Sequence, residues 1–155
     1  MAQLNLNTVR QNIESRLATE MASNPTTTVV FGNQPFDPPS DTSFIQCLIE
    51  FTGSEYVTLG GISNSTNSQT GVITFNIFTK MGIGLGDNLT LAKRIRDLYN
   101  RVILNGIYFE PPTGPTVLEN ANPEGFVQSV MSISFETFEN LSLKSQKKCL
   151  ILLSR

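Results

Sequence analysis

The 155-residue chain contains no histidine and no tryptophan. Without imidazole the usual general base near neutral pH is missing, and neither Cys47 nor Cys149 has the partner that activates a catalytic thiol. Charge is scarce as well: 11 Lys and Arg against 13 Asp and Glu leave a net charge of −2. A general nucleic-acid binder carries a dominant basic face, so this balance argues against that class. The two cysteines lie far apart in apolar contexts with no metal-ligand spacing, and read as reduced thiols in an intracellular setting. No apolar run approaches the roughly 20 residues of a membrane span, and the N-terminus lacks an apolar signal core. The expectation is a soluble, cytoplasmic, single-domain chain that is not an enzyme, with no catalytic residues, no cofactor, no metal and no membrane partner.

Apolar periodicity is plentiful. Leu6, Val9, Ile13, Leu17 and Met21 recur at three- and four-residue steps, predicting a helix over 6–21 capped by Asn5 or Asn7 and ended before Pro25. Arg10, Arg16, Glu14 and Glu20 fall mostly off that stripe, on a solvated face. "TTTVVF" (26–31) reads as a short strand and "GNQPFDPPSD" (32–41) as a rigid loop. "SFIQCLIEF" (43–51) alternates, with Ile45, Cys47, Ile49 and Phe51 on one face. "EYVTLGG" (55–61) either continues that strand after a bulge near Gly53 or adds another. The uncharged polar stretch 62–70 reads as a flexible loop tip. Strand 71–80 follows, with Ile73, Phe75 and Ile77 inward.

A second helix is predicted over 88–101 on the stripe Leu91, Ile95, Leu98 and Val102. Asn105-Gly106 between apolar runs signals a hairpin through a type I′ turn. Residues 111–125 form a second proline-rich excursion. Strand 126–138 carries Val127, Met131, Ile133 and Phe135 on one face. The sum is an α+β fold, an antiparallel twisted sheet with both helices packed against it. Residues 1–138 form the regular domain and 139–155 a C-terminal extension.

Four places invite a functional reading. The stretch "TKMGIGLGDNLT" (79–90) puts Gly82, Gly84 and Gly86 between a strand and a helix, where phosphate loops occur. Its spacing is G-x-G-x-G, however, not G-x-G-x-x-G, and no G-K-[ST] follows. Asp87 sits where a helix cap is needed, and its carboxylate would occupy the amides a phosphate requires. The turn therefore reads as a connection, not a nucleotide site. Lys93, Arg94, Arg96 and Arg101 spread over a solvated helix face, with Lys93 placed to pair with Asp97. Asp37 and Asp41 are a conceivable carboxylate pair but lie among turn-forming residues. Lys144, Lys147 and Lys148 precede "CLILL" (149–153), a segment that packs either on its own subunit or on a neighbouring copy.

The order of these features carries a resemblance. An N-terminal amphipathic helix, "VVFGNQPFDPPSD", the strand "VITFNIF" with its glycine-rich exit, the helix "LTLAKRIRDLYN", a hairpin and a last alternating strand occupy residues 4–138. This pattern resembles the small tail terminator, or tail completion, proteins of long-tailed bacteriophages. The resemblance implies a structural virion protein without catalytic residues. Such a protein forms a homo-oligomeric ring, commonly a hexamer, at the head-proximal end of the tail tube. The ring stops tube polymerisation and joins the tail to the neck, so its partners are the tube protein, a neck or head–tail connector protein, and genomic DNA passing through the lumen without specific binding. It is found in the virion, and in the host cytoplasm during assembly. Other ring proteins, a neck connector or a tube subunit, and a small-ligand domain using the Gly82–Asp87 turn are the alternatives.

Overall fold

The computed structural model describes residues 4–58, 65–118 and 124–140. They form an α+β fold: helix α1 (Leu6–Ala22), strands β1 (Thr28–Phe31), β2 (Phe44–Tyr56) and β3 (Thr66–Lys80), helix α2 (Gly86–Tyr99), then β4 (Ile103–Leu104), β5 (Ile107–Phe109), β6 (Thr113–Leu118) and β7 (Phe126–Asn140). The seven strands make one sheet in the order β1-β2-β3-β7-β5-β4, with β6 also paired to β7.

The sheet is mixed, which corrects the expectation of an antiparallel one. β1 runs parallel to β2, with Thr28 opposite Phe44 and Phe31 opposite Cys47. Residues 32–43, between the two strands, make this possible. A parallel return needs roughly a dozen residues, and the proline-rich loop provides them. The other pairings are antiparallel.

Both helices cover one face. Val9, Ile13, Leu17 and Met21 of α1 and Leu91, Ala92, Ile95 and Tyr99 of α2 meet Ile45, Cys47, Ile73, Phe75, Ile77, Met131, Ile133 and Phe135 in one buried cluster. Strand alternation explains why every second residue of β2, β3 and β7 takes part. Two assignments change. Leu6 is exposed, and Leu98 is only partly buried because α2 turns Tyr99 inward instead. Tyr99 is fully buried, and its hydroxyl donates to the Ile13 carbonyl at 2.7 Å, tying the helices together. Burial of apolar ring area with a satisfied hydroxyl explains why it displaces the leucine.

Among the described residues the opposite face has no helix. At one end Val30, Phe44, Phe78 and Phe126 form a small second cluster, over which Phe36 of the proline-rich loop lies 5.0 Å from the Phe44 ring. Beyond it a row of side-chain amides crosses the sheet, with Leu48 exposed beside it. Asn76 donates to Gln46 at 3.0 Å and Gln128 donates to Asn76 at 3.2 Å, linking β2, β3 and β7.

Local chemistry fixes the joints. Asn5 caps α1, its side chain accepting from the amides of Asn7 and Thr8. The register of β2 on β3 shifts between Phe51 and Gly53, where the bulge was expected, and β2 continues beyond it. Asn105 and Gly106 have φ of 48° and 80°, as a type I′ turn requires. Two stretches read as loops are partly strand. Residues 66–70 extend β3 against β2 and β7, and 113–118 form β6. Neither has apolar alternation; their backbones pair because β7 is long enough to offer them an edge.

Candidate functional site

The glycine turn is built from three decisions. β3 ends at Lys80, and the Met81 amide donates to the Gly125 carbonyl at 3.0 Å, holding the loop's base beside the start of β7. Gly82 and Gly84 then take φ of +91° and +86°, the left-handed region that L side chains rarely enter. A Cβ added at either would meet nothing within 4 Å, so these glycines serve the backbone path and not a close approach. The chain enters α2 at Gly86, two residues earlier than expected.

That early start overturns the role assigned to Asp87. The N-cap position is Leu85, no side chain caps it, and Asp87 lies inside the first turn. Its carboxylate can interact with the helix dipole but cannot fold back as a cap. The neighbouring residue does the structural work. Asn88 is fully buried; its amide donates to the Ile77 carbonyl at 3.3 Å, the Thr79 hydroxyl at 3.2 Å and the Val127 carbonyl at 3.5 Å. Its oxygen accepts from the Ser129 hydroxyl. Thr79 and Ser129 are buried too, so this network pins the start of α2 to β3 and β7 through satisfied polar groups. A signal for it was present: Asn88 shares the apolar stripe of Leu91, Ala92, Ile95 and Tyr99.

An open cavity of about 350 Å³ lies beside this helix start, with Asp41, Asp87, Thr90 and Arg94 among its walls. A phosphate at the α2 N-terminus would face two carboxylates there. Arg94 offers little compensation, because it is engaged elsewhere. Its guanidinium donates to the carbonyls of Pro25 and Glu20 at 2.8 Å each and lies 3.4 Å from the Glu20 carboxylate. Arg16 similarly donates to the Leu98 carbonyl at 2.9 and 3.1 Å. These two arginines cross-brace the helices, which corrects their placement on solvated faces. Lys93 pairs with Asp97 as expected. Asp41 pairs with Lys80 at 3.3 Å, not with Asp37.

Cys47 is a free, buried thiol. Burial, with a smaller contribution from Glu14, pushes it up to about 12, so it stays protonated at neutral pH and is no nucleophile. Burial likewise drives the Tyr99 hydroxyl upward. Among the described residues no group of three or more His, Cys, Asp or Glu side chains could hold a metal ion, and no helix is long and apolar enough to cross a membrane. Cys149, Lys144, Lys147, Lys148 and the "CLILL" segment lie outside the described residues.

Two surface features remain. A groove of about 600 Å³ runs between the N-terminal half of α1, the β4–β5 turn and the end of β7. Val9 and Ile107 are its buried apolar residues, and Tyr108 and Phe138 meet edge-on at 5.6 Å in its wall. At the other end of the sheet the glycine loop presents Met81, Ile83 and Leu85, joined by Leu89 of α2, all exposed.

No family model and no curated protein matches the chain. Solved structures do match it. One of them superposes with a TM-score of 0.60 at 16% identity, over 88% of this chain and 96% of its own. At that identity the likeness is one of fold: the α+β arrangement described above is shared by another protein across nearly its whole length.

Proposed function

We propose that the protein is a structural ring component of a long-tailed bacteriophage. In this reading it is a tail terminator that caps the head-proximal end of the tail tube, stops tube polymerisation and joins the tail to the neck. The resemblance over residues 4–138 motivates the proposal, and the distribution of charge carries it. Apart from Lys80, every Lys and Arg among the described residues lies on α1, on α2 or at Arg101 just after α2. Lys80 itself is paired with Asp41. The helix-free sheet face instead bears the Gln46–Asn76–Gln128 amides. Its strand positions also include the acids Glu50 and Glu136.

A face of this kind suits a DNA conduit. Many phosphate contacts would give tight, salt-sensitive binding, whereas a neutral-to-acidic wall lets the duplex slide past. The ring has the helix-free face inward and the helices outward. Proline-stiffened loops such as 32–41 lower the ordering cost of contacts with tube and neck.

The test is a phage in which the gene is deleted. Tails of abnormal length that fail to join heads are expected, with restoration by the protein supplied in trans. Normal-length tails attached to full heads would refute the assignment. A tube subunit is distinguished in the purified protein: it would polymerise indefinitely, whereas a terminator stops at one closed ring.

A further inference from the structure

We infer that the apolar glycine loop of one subunit seats in the apolar groove of the next, so that copies of this chain associate head to tail. The inference rests on the ring reading and deepens it by naming the two surfaces that meet.

The loop is an unusual piece of surface. Met81, Ile83, Leu85 and Leu89 are 53%, 58%, 42% and 47% exposed within nine consecutive residues. Their backbone stands off the body, since a Cβ at Gly82, Gly84 or Gly86 would touch nothing within 4 Å. Contiguous exposed apolar surface of this kind marks an interaction site. Residues 81–86 carry no charge.

The groove has matching chemistry. Among the described residues its lining contains no charged side chain, so docking an apolar loop against them strands no ion in a desolvated site. Apolar wall is supplied by Leu4, Val9, Ile107, Tyr108 and Phe138, beside Asn12 and Asn105, whose side chains are joined by an Asn105-to-Asn12 hydrogen bond at 3.3 Å.

Geometry selects a second copy as the occupant. In the β3–β7 ladder Lys80, where the loop begins, is opposite Phe126, whereas Phe138 in the groove is opposite Ser68. Twelve residues of strand separate the two sites, roughly 40 Å at about 3.3 Å per residue. The loop cannot reach its own groove. Different patches at opposite ends make a heterologous contact, which closes into a ring when successive rotations sum to a full turn. The loop alone is small beside the roughly 800 Å² per partner of a stable interface, so one joint is weak and closure of the ring stabilises all of them.

The test uses the full-length chain with Cys149→Ser, leaving only the buried Cys47 thiol. Two single variants, Ile83→Cys and Thr8→Cys, are mixed under mild oxidation, and the mass of unmodified and Ile83→Asp protein is measured across concentration. Ile83 is largely exposed and lies outside both buried clusters, so Ile83→Asp should retain the wild-type circular dichroism spectrum. Expected are a disulfide between the two different variants and at least a tenfold weaker association for Ile83→Asp. Rings that persist in Ile83→Asp with no mixed disulfide overturn the loop–groove contact while leaving the ring reading intact. Assembly unaffected by Ile83→Asp but lost on truncation after Asn140 assigns the contact between copies to residues 141–155 and also overturns the loop–groove contact. Wild-type protein that stays monomeric at all concentrations, with or without tube protein, overturns both readings.

Discussion

Replacing Asn88 by alanine removes the centre of a buried network, and the expected cost can be worked from its partners. The substitution takes away an amide that donates to Ile77, Thr79 and Val127 and an oxygen that accepts from Ser129. Ile77 and Val127 contribute backbone carbonyls within the β3–β7 ladder, and the Thr79 hydroxyl can rotate, so their loss is partial. The Ser129 hydroxyl is different: it is completely buried, and an orphaned buried donor costs about 1–3 kcal/mol. With the void left by the amide, a total of about 3 kcal/mol follows. For a chain of this size that is a drop of roughly 6–12 °C in melting temperature. Urea unfolding should show a lower midpoint with an unchanged slope. The double variant Asn88→Ala/Ser129→Ala should cost less than the sum of the two single changes, because it no longer leaves the hydroxyl unpaired. Asp87→Ala, by contrast, removes an exposed first-turn acid and should shift stability by about 0.5 kcal/mol or less. If Asp87→Ala were the more damaging of the two, Asp87 would be the cap and this account of the helix start would be wrong.

Gly71→Ala should destabilise by about 1–3 kcal/mol, as overpacking does, because the new Cβ would stand 2.3 Å from the buried Phe135 ring and 2.7 Å from the Glu50 carbonyl; thermal unfolding within error of wild type would contradict that packing. Arg94→Ala should cost about 1–2 kcal/mol through lost charge-assisted bonds to the Glu20 and Pro25 carbonyls, and hydrogen exchange should rise at the C-terminal turn of α1; unchanged exchange there would deny it the bracing role. Alkaline pH should destabilise the protein. Burial raises the Cys47 thiol from 9.0 to about 12, so the unfolded chain releases its proton first. The stabilisation is complete below about pH 9 and is lost as pH rises towards 12, by up to about 4 kcal/mol. Cys47→Ala should flatten that decline in part, with Tyr99 maintaining the rest; an identical pH profile in the variant would remove Cys47 as a cause.

Local signals were legible in the residues. The stripe of α1, the inward faces of β2, β3 and β7 and the Asn105-Gly106 turn follow from side-chain periodicity and φ preferences, which act within a few residues; the choice of Asn5 over Asn7 as cap, and of a bulge near Gly53 over a separate strand, was made by the structure. The candidate site was legible only in outline. Its glycines and the chain's reversal into a helix could be placed, but not the residue that holds that helix down. Whether Asp87 or Asn88 did so depended on where α2 began, and that was set by the reach from Asn88 to Thr79, Val127 and Ser129. Likewise Tyr99 won the core from Leu98 because the Ile13 carbonyl awaited its hydroxyl, and Arg16 and Arg94 found backbone carbonyls across the helix pair. The parallel β1–β2 pairing and the recruitment of 66–70 and 113–118 into the sheet also lay beyond periodicity. A backbone strand pairs wherever an edge is open and the connection is long enough, and both are properties of the assembled chain, not of any window within it.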